Sequence, residues 1–462
     1  MKPGWSKLRV AFVSIGALTL LTGLFYAEED WRGKHAWETY QQEIRAKGET
    51  VDWKDFIPAP VPNDQNFFAA PNMTDWFVRG HASDFYDRLK NSNTVATITA
   101  ERDAREYLAW SDRFQPDFNQ IRTALQRPYA RMDGSYERPY EIPVPNFVNM
   151  RMLSQVLVQR ARCNLLLGQT SDALQDLNLL YQSRHILESP PSGKPVVLVS
   201  SMIDVAITGL YVDAIASGMK SHSWREADLI VLENQLKQID LPSFVCESLN
   251  EEAVGTARTL EITTSGHLSQ LFAPASKTGF FQRLKDPFFL GCCFAPRGWV
   301  YQNMTFAARL QRRSAEGFDV TPGVFMPEKF DAAARQIDRA LRHHTLWNMW
   351  AALTIPNVTK AVQMTANVQS KVNEAYIACA LERYRLARGH YPDTLAALAP
   401  QFMESVPEDI IEGNPLHYRR TDDGKFLLYS VGWNRRDDNG KTLPPPKNGG
   451  PDLTSGDWVW QN

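Results

Sequence analysis

The sequence predicts an α+β protein that is mostly α-helical. It would comprise a single N-terminal transmembrane helix, a helical body, and a long C-terminal helix followed by a small antiparallel β unit. Three observations predict this class. An uncharged run of 18 residues lies near the N-terminus, apolar residues recur at spacings of three and four through most of the chain, and short apolar segments between turn residues occupy its end.

The N-terminal segment is predicted to anchor the chain in a membrane. Basic residues precede the uncharged run from Val10 to Ala27, which as a helix is about 27 Å long and just spans a bilayer core. Acidic residues follow at once, and this asymmetry places the N-terminus in the cytoplasm. A cleavable signal peptide is the alternative, but cleavage after Ala27 would put Phe25 where a small residue is needed.

We therefore expect an inner-membrane, single-pass protein that contacts the lipid bilayer through residues 10–27, with a periplasmic or otherwise extracytoplasmic body. A second apolar stretch, residues 196–219, is interrupted by Asp204 and Asp213. Charged residues are rare and costly within a membrane. That stretch is therefore predicted to be a buried helix of the soluble body and not a second span.

Composition divides the chain into four parts. Residues 1–27 form the cytoplasmic tip and anchor, 28–80 an extended connector, 81–345 the helical body, and 346–462 a C-terminal helix-plus-β domain. Prolines at positions 58, 60 and 62 make part of the connector stiff and extended. Two interpretations of the connector stay open: a spacer that holds the body away from the membrane, or a strandless arm packed on the first domain.

The clearest unit of the body is a helical hairpin. An apolar stripe from Met152 to Leu166 ends at Gly168, and Ser171 is predicted to cap the second helix. Residues 268–300 are rich in Phe, Gly and Pro and are predicted to form an irregular loop. Further helices are predicted at 198–219, 224–238, 245–263 and 327–344.

The C-terminal unit is predicted to contain one long helix and two strands. The helical pattern runs from Asn357 to Arg388 and ends at Gly389, which suits a left-handed cap, and Pro392 prevents its continuation. Residues 417–420 and 425–430 are predicted strands, joined by the turn sequence Asp-Asp-Gly.

The same unit carries residues whose spacing is characteristic of one family. They are Leu381, Tyr384, Arg385-Leu386, Gly389, Tyr391-Pro392, Gly413-Asn414-Pro415, Tyr418, Leu428-Tyr429-Ser430 and Gly432. In this pattern residues 346–462 resemble the globular domain of the major pseudopilins of type II secretion systems. The whole chain is similar to membrane-anchored bacterial envelope proteins that share this helix, the Leu-Tyr-Ser strand and a helical body. Residues 1–27 lack the pilin cleavage motif, so a conventional fibre subunit is not expected.

The resemblance implies a calcium site in the loop after Gly432. Pseudopilins commonly bind calcium there, and the matching positions are Asn434, Asp437, Asp438 and Asp452. Clustered carboxylate, amide and backbone oxygens could supply the roughly six to eight ligands that calcium takes. Asn434 stands where the family usually has an acidic ligand. The alternative is a solvated polar loop, because the same Asp-Asp-Asn-Gly run is also good turn chemistry.

No motif supports an assignment as an enzyme. The chain lacks HExxH, GxSxG and a phosphate-binding loop. Two pairs of glutamates, Glu251 with Glu252 and Glu374 with Glu382, are predicted to lie on solvated or salt-bridged surfaces. The net charge of −2 provides no basic field, so nucleic acid is not an expected partner.

The expected function is interaction or scaffolding outside the cytoplasm, with an envelope protein as partner and a link to secretion or pilus-like machinery. The alternative is a membrane-tethered hydrolase whose active site is assembled from residues far apart in sequence. A deep pocket lined by a carboxylate–histidine pair would favour the hydrolase. Shallow grooves with exposed aromatic patches would favour the binding role.

Overall fold

The chain is largely helical in the computed structural model, which describes residues 4–91, 93, 96–188, 197–264, 295–319, 323–342, 345, 348–354, 358–442 and 452–460. Of these described residues, 65% are helical and 5% lie in strands, and a small three-stranded antiparallel sheet lies near the C-terminus. The prediction of a mostly helical α+β protein with a C-terminal β unit is confirmed at this level.

The helices of the described residues follow in chain order. They are α1 (Gly4–Ala46), α2 (Met73–Phe77), α3 (Phe85–Leu89), α4 (Glu101–Ser111), α5 (Gln115–Ala124), α6 (Phe147–Leu166), α7 (Thr170–Ser183), α8 (His185–Glu188), α9 (Leu198–Lys220), α10 (Glu226–Leu236), α11 (Leu241–Thr264), α12 (Arg297–Arg313), α13 (Pro327–Arg342), α14 (Met349–Thr354) and α15 (Thr359–Arg388). The strands are β1 (Phe318–Asp319), β2 (Val324–Phe325), β3 (His417–Arg420), β4 (Phe426–Ser430) and β5 (Trp458–Val459).

Helix α1 joins the predicted anchor to the connector without a break. Apolar side chains of its first half, such as Val10, Phe12 and Leu18, are 65–69% exposed. In its second half, Tyr40 and Ile44 are only 3% and 5% exposed and pack into the body. Leaving so much apolar surface in water is unfavourable, so the exposed first half is compatible with a membrane span.

Among the described residues, two helices are long and apolar enough to cross a membrane, α1 and α9. None of the apolar window of α1 is buried within the protein, whereas 61% of that of α9 is buried. Helix α9 packs against α6, α11 and α15. Its Asp204 is fully buried and pairs with Arg184 at 2.7 Å. This packing agrees with the prediction of a buried helix at 196–219.

The connector is packed on the body. Trp53 and Phe56 are buried beside Val254 of α11, and Phe67 and Phe68 belong to the main core. The side chain of Asn66 holds a turn in place, because its amide donates to the Arg131 carbonyl at 2.8 Å and its oxygen accepts from the Arg131 N–H at 2.9 Å. Of the two interpretations of the connector, the packed arm is the one observed.

One hydrophobic core runs from the connector to the C-terminal sheet, from Phe67 to Trp460. Helix α15 packs against both α9 and α10, so the C-terminal unit shares its core with the body. The expected division between residues 345 and 346 therefore does not coincide with a break in the core.

The predicted helical hairpin is present as α6 and α7. Gly168 has a φ of +72°, the left-handed conformation that glycine adopts without strain. The second helix starts at Thr170 with Gln169 at its N-cap, so the cap predicted at Ser171 is wrong. The Ser171 hydroxyl instead accepts a hydrogen bond from Arg225, which no local pattern could indicate.

The predicted helices at 224–238, 245–263 and 327–344 correspond to α10, α11 and α13, with α13 ending at Arg342. The end predicted for α13, at position 344, lies outside the described residues. Most of the predicted irregular loop, up to position 294, also lies outside them. Its final residues begin α12, which was not predicted.

The C-terminal elements follow the prediction closely. Helix α15 ends at Gly389, whose φ is +81°. Strands β3 and β4 pair antiparallel, with Tyr418 opposite Leu428. A third strand, β5, pairs with β4 and was missed, because two residues are too short to show an alternating pattern.

Candidate functional site

The four predicted calcium ligands lie between β4 and β5, and hydrogen bonds within this region already engage them. The Asn434 amide donates to Asp438 at 3.3 Å. Asp437 accepts from the Tyr429 hydroxyl at 3.1 Å. Asp452 accepts from the hydroxyls of a neighbouring threonine and serine. Residues 443–451 of this region lie outside the described residues.

Asp457, beside the predicted ligands, has a different role. Its two carboxylate oxygens accept from the backbone N–H groups of Asp438 at 3.1 Å and Gly440 at 2.7 Å, which holds the turn against β5. In the part of the chain that the structure describes, no group of three or more His, Cys, Asp or Glu residues could hold a metal ion. The arrangement therefore offers no ready ligand cluster, and the calcium site stays a prediction.

Calcium binding can be tested on the full chain by thermal melting with calcium and with a chelator. A ligand that binds only the folded state at 100 times its dissociation constant adds about 2.7 kcal/mol. A rise in Tm with calcium would establish a site that forms on binding, and Asp437, Asp438 and Asp452 would be substituted next. An unchanged Tm would contradict the calcium site, and only the resemblance in sequence to pseudopilins would remain.

A dense polar cluster surrounds Glu382 near the end of α15. Its carboxylate is 3% exposed. It accepts from the guanidinium of Arg385 at 2.6 and 2.9 Å, from the Tyr391 hydroxyl at 2.9 Å and faces the Nδ1 of His222 at 3.0 Å. The prediction of a surface position for Glu382 is wrong, because the connection from α9 to α10 covers it.

Glu374, the other glutamate predicted on that surface, is also buried, at 1% exposure. It lies on α15 between the body and the sheet, and it accepts a hydrogen bond from Ser370 at 3.3 Å. The amphipathic pattern of α15 showed one buried face, but this helix is covered on a second face by the C-terminal sheet. A local pattern does not reveal that second contact.

The hydrogen bonds decide the ionisation of Glu382. Burial alone would raise the pKa of this carboxyl, but donors on Arg385, His222 and Tyr391 outweigh burial and lower the pKa below its ordinary value. A carboxyl whose pKa is lower in the folded than in the unfolded protein raises the free energy of unfolding. This contribution is fully present at any pH above the pKa of the unfolded state. That stability is lost as the pH falls through the folded pKa.

We therefore expect Glu382→Gln to lower Tm at neutral pH and to converge with the wild type as the pH falls through the lowered pKa of the Glu382 carboxyl. Melts of both proteins across this pH range measure the effect. Glu106→Gln serves as the control, because Glu106 forms an exposed pair with Arg102 on α4 and such pairs contribute little. A constant difference at every pH would contradict the role of the Glu382 charge.

The His222–Glu382 pair has the composition of a catalytic dyad but no room for a substrate. The cleft beside it, lined in part by Lys220, Tyr391 and Lys425, has a volume of about 30 Å³, comparable with one water molecule. Among the described residues, no hydroxyl or thiol is hydrogen-bonded to His222. The cluster therefore fastens the α9–α10 connection to the end of α15.

A larger cleft of about 230 Å³ lies beside Glu251 and Glu252. Glu251 is 2% exposed, so its predicted solvated position is wrong. Burial raises the pKa of Glu252. Trp53 and Tyr140 form part of the wall, and sequence alone could not place these residues against α11. No His, Lys or Arg lies among the described residues that line this cleft, so it provides no carboxylate–histidine pair.

Helices α1 and α12 meet directly beyond the predicted membrane span. Their backbones touch, since a Cβ on Gly33 would collide with the carbonyl of Gly298, and a Cβ on Gly298 would collide with that of Glu29. The Asp30 carboxylate accepts from the N–H of Gly298 at 2.7 Å and thereby caps α12. An isolated glycine within a helical pattern was the available signal for this close approach.

Glu29 completes this junction. Its buried carboxylate accepts from the Trp299 indole N–H at 2.9 Å and from the Gln302 amide at 3.1 Å, and it pairs with Arg32 at 3.0 Å. Further along, Arg309 of α12 pairs with Glu43 at 2.8 Å. The body is thus bonded to α1 from the residues that follow the predicted span onward.

Comparison of the chain with protein-family models, curated proteins and solved structures found no match in any of the three. The resemblance to pseudopilins therefore depends on the sequence pattern of residues 346–462 alone. Function must be argued from the geometry of the chain itself.

Proposed function

We propose that this chain is a single-pass inner-membrane protein whose extracytoplasmic body is an interaction platform, fixed directly to its own membrane helix. The continuity of α1 carries the proposal. Its exposed apolar half runs without interruption into a half that is buried in the body. An anchor of this kind holds the body at the membrane surface in place of a flexible tether.

The residues that flank the apolar half support this placement. Basic residues precede it and Glu28, Glu29 and Asp30 follow it, which favours a cytoplasmic N-terminus. Trp31, one turn beyond Ala27, is 68% exposed and stacks on His35 with ring centroids 5.5 Å apart. Tryptophan is enriched at membrane–water interfaces, so this position suits the boundary of the bilayer.

The clefts favour an interaction role over the hydrolase alternative. The cleft that contains the carboxylate–histidine pair of His222 and Glu382 has a volume of only about 30 Å³, which is too small for a substrate. Among the described residues, no histidine lines the larger cleft at Glu251, so that cleft provides no carboxylate–histidine pair. A binding protein needs neither a substrate cavity nor a catalytic pair of side chains. The resemblance of the C-terminal unit to pseudopilins adds secretion or pilus-like machinery as the setting of the partner.

The anchor is tested by placing charge at the centre of the predicted span. We expect the double variant Leu18→Arg/Leu21→Arg to leave the alkali-resistant membrane fraction, because each arginine there costs about 2.5–3.5 kcal/mol. Leu18→Val/Leu21→Ile keeps the apolar character and should fractionate like the wild type. Retention of the arginine variant in the membrane fraction would overturn the anchor.

The interaction role is tested by site-specific photo-crosslinking in cells. A photoreactive residue in place of Arg419, exposed on β3, should yield a product with an envelope protein of a secretion or pilus-like machine. The same residue in place of Arg102, exposed on α4, is the matched control. If no position across the β unit cross-links to an envelope protein, the proposed link to secretion or pilus-like machinery loses its support.

A further inference from the structure

A polar cleft of about 330 Å³ opens between α6, α9, α15 and β5. Three basic side chains line it, and each comes from a different helix: Arg162 from α6, Lys220 from α9 and Lys371 from α15. The cleft is separate from the Glu251 cleft and from the predicted calcium ligands. Its volume falls at the lower end of the range of about 300–1,000 Å³ that small-molecule sites occupy.

Two of these three cations have no counter-charge among the residues that the structure describes. The Lys371 ammonium lies 3.2 Å from the Asp213 carboxylate. Neither Arg162 nor Lys220 makes a side-chain hydrogen bond or ion pair with any residue that the structure describes. By contrast, Arg160, on the same helix as Arg162, is paired with Asp176 at 3.1 Å. Bringing like charges to one cavity is unfavourable unless an anion offsets the repulsion.

The wall of the cleft next to the C-terminal strand is apolar. Val459 and Trp460 line the cleft there, and Trp460 is 5% exposed. The indole N–H of Trp460 is itself buried, so the polar groups that the cleft offers to a ligand come from the three helices.

The acidic residues of the cleft leave its charge positive. Asp213 is already engaged by Lys371. Glu374 is buried, and burial raises the pKa of its carboxyl well above the ordinary value despite the nearby Lys371 ammonium, which favours the uncharged form at neutral pH. Three cations therefore face one ionised carboxylate.

We propose that this cleft binds a small molecule that bears an oxyanion, a phosphate or a carboxylate. Arg162 and Lys220 hold the oxyanion, since a guanidinium offers two parallel donors to such a group and an ammonium adds a point charge. The site goes beyond the interaction platform and does not depend on a protein partner.

Isothermal titration of the full chain in neutral detergent at low salt tests the site. The probes are inorganic phosphate and succinate, titrated separately. We expect heat of binding with at least one of them, and the one that binds identifies the class of oxyanion. Arg162→Gln and Lys220→Gln should each weaken binding about tenfold or more, in line with the strength of a charge-assisted hydrogen bond.

Lys329→Gln is the matched control. Lys329 is exposed on α13, does not line the cleft and makes no side-chain ion pair among the described residues. This variant should bind like the wild type. Arg162 and Lys220 are themselves exposed, so their variants should melt normally. Absence of binding by both anions, or equal binding by all three variants, would overturn the site.

Discussion

Gly298→Ala is expected to push α12 away from α1 and to destabilise the protein by about 3 kcal/mol or more. The new methyl group would meet the carbonyl of Glu29 and the N–H of Asp30, which are backbone atoms and cannot rotate aside. Separation would also weaken the Asp30 cap and the hydrogen bonds to Glu29. Alanine favours a helix over glycine, so the intrinsic propensity acts in the opposite direction.

Thermal melting in detergent and limited proteolysis at the junction measure this effect. Gly33→Ala should behave in the same way, because its methyl group would strike Gly298 from the other side. Gly23→Ala is the matched control, since it makes the same change on α1 at a position with no atom within 4 Å. If all three variants have the same Tm, the close crossing of α1 and α12 does not contribute to stability.

Asp204→Asn is expected to destabilise the protein by about 3–5 kcal/mol, the usual cost of removing one charge from a buried pair. Asp204 is fully buried and the guanidinium of Arg184, itself 3% exposed, binds both of its oxygens at 2.7 and 3.1 Å. Among the described residues, Arg184 would keep Glu188 as its one anionic partner. The pair joins α9 to the connection after α7, so its loss should affect the whole core.

Chemical denaturation of the full chain measures this difference. The double variant Arg184→Met/Asp204→Leu removes both charges of the buried pair and should recover part of the loss, because neither member of that pair is left unpaired. Glu106→Gln at the exposed Arg102 pair should cost less than about 1 kcal/mol. Equal losses of unfolding free energy for Asp204→Asn and Glu106→Gln would contradict the buried position of Asp204.

The elements that local chemistry determines were predictable from the sequence. Gly389 ends α15 because the left-handed conformation favours glycine, and β3 and β4 follow from two short apolar runs around a turn. Asp204 within an apolar stretch indicated a buried helix. In each case the deciding residues lie within a few positions of one another.

The elements that distant residues determine were not predictable. Helix α12 takes its cap from Asp30, 268 positions earlier in the chain. Glu251, Glu374 and Glu382 lie in the interior because other segments fold over them. The cleft at Arg162 collects its cations from helices that are remote in sequence, and no spacing rule connects them.

The unbroken course of α1 has a consequence for how the body faces its surroundings. A rigid helix fixes the angle of the body about the helix axis as well as its height. One residue inserted after Ala27 would turn the body by about 100° and shift it by about 1.5 Å along the axis. Seven inserted residues would return it almost to its original bearing. If the first half of α1 spans the membrane as we propose, the number of residues in this one helix determines the direction in which the body faces.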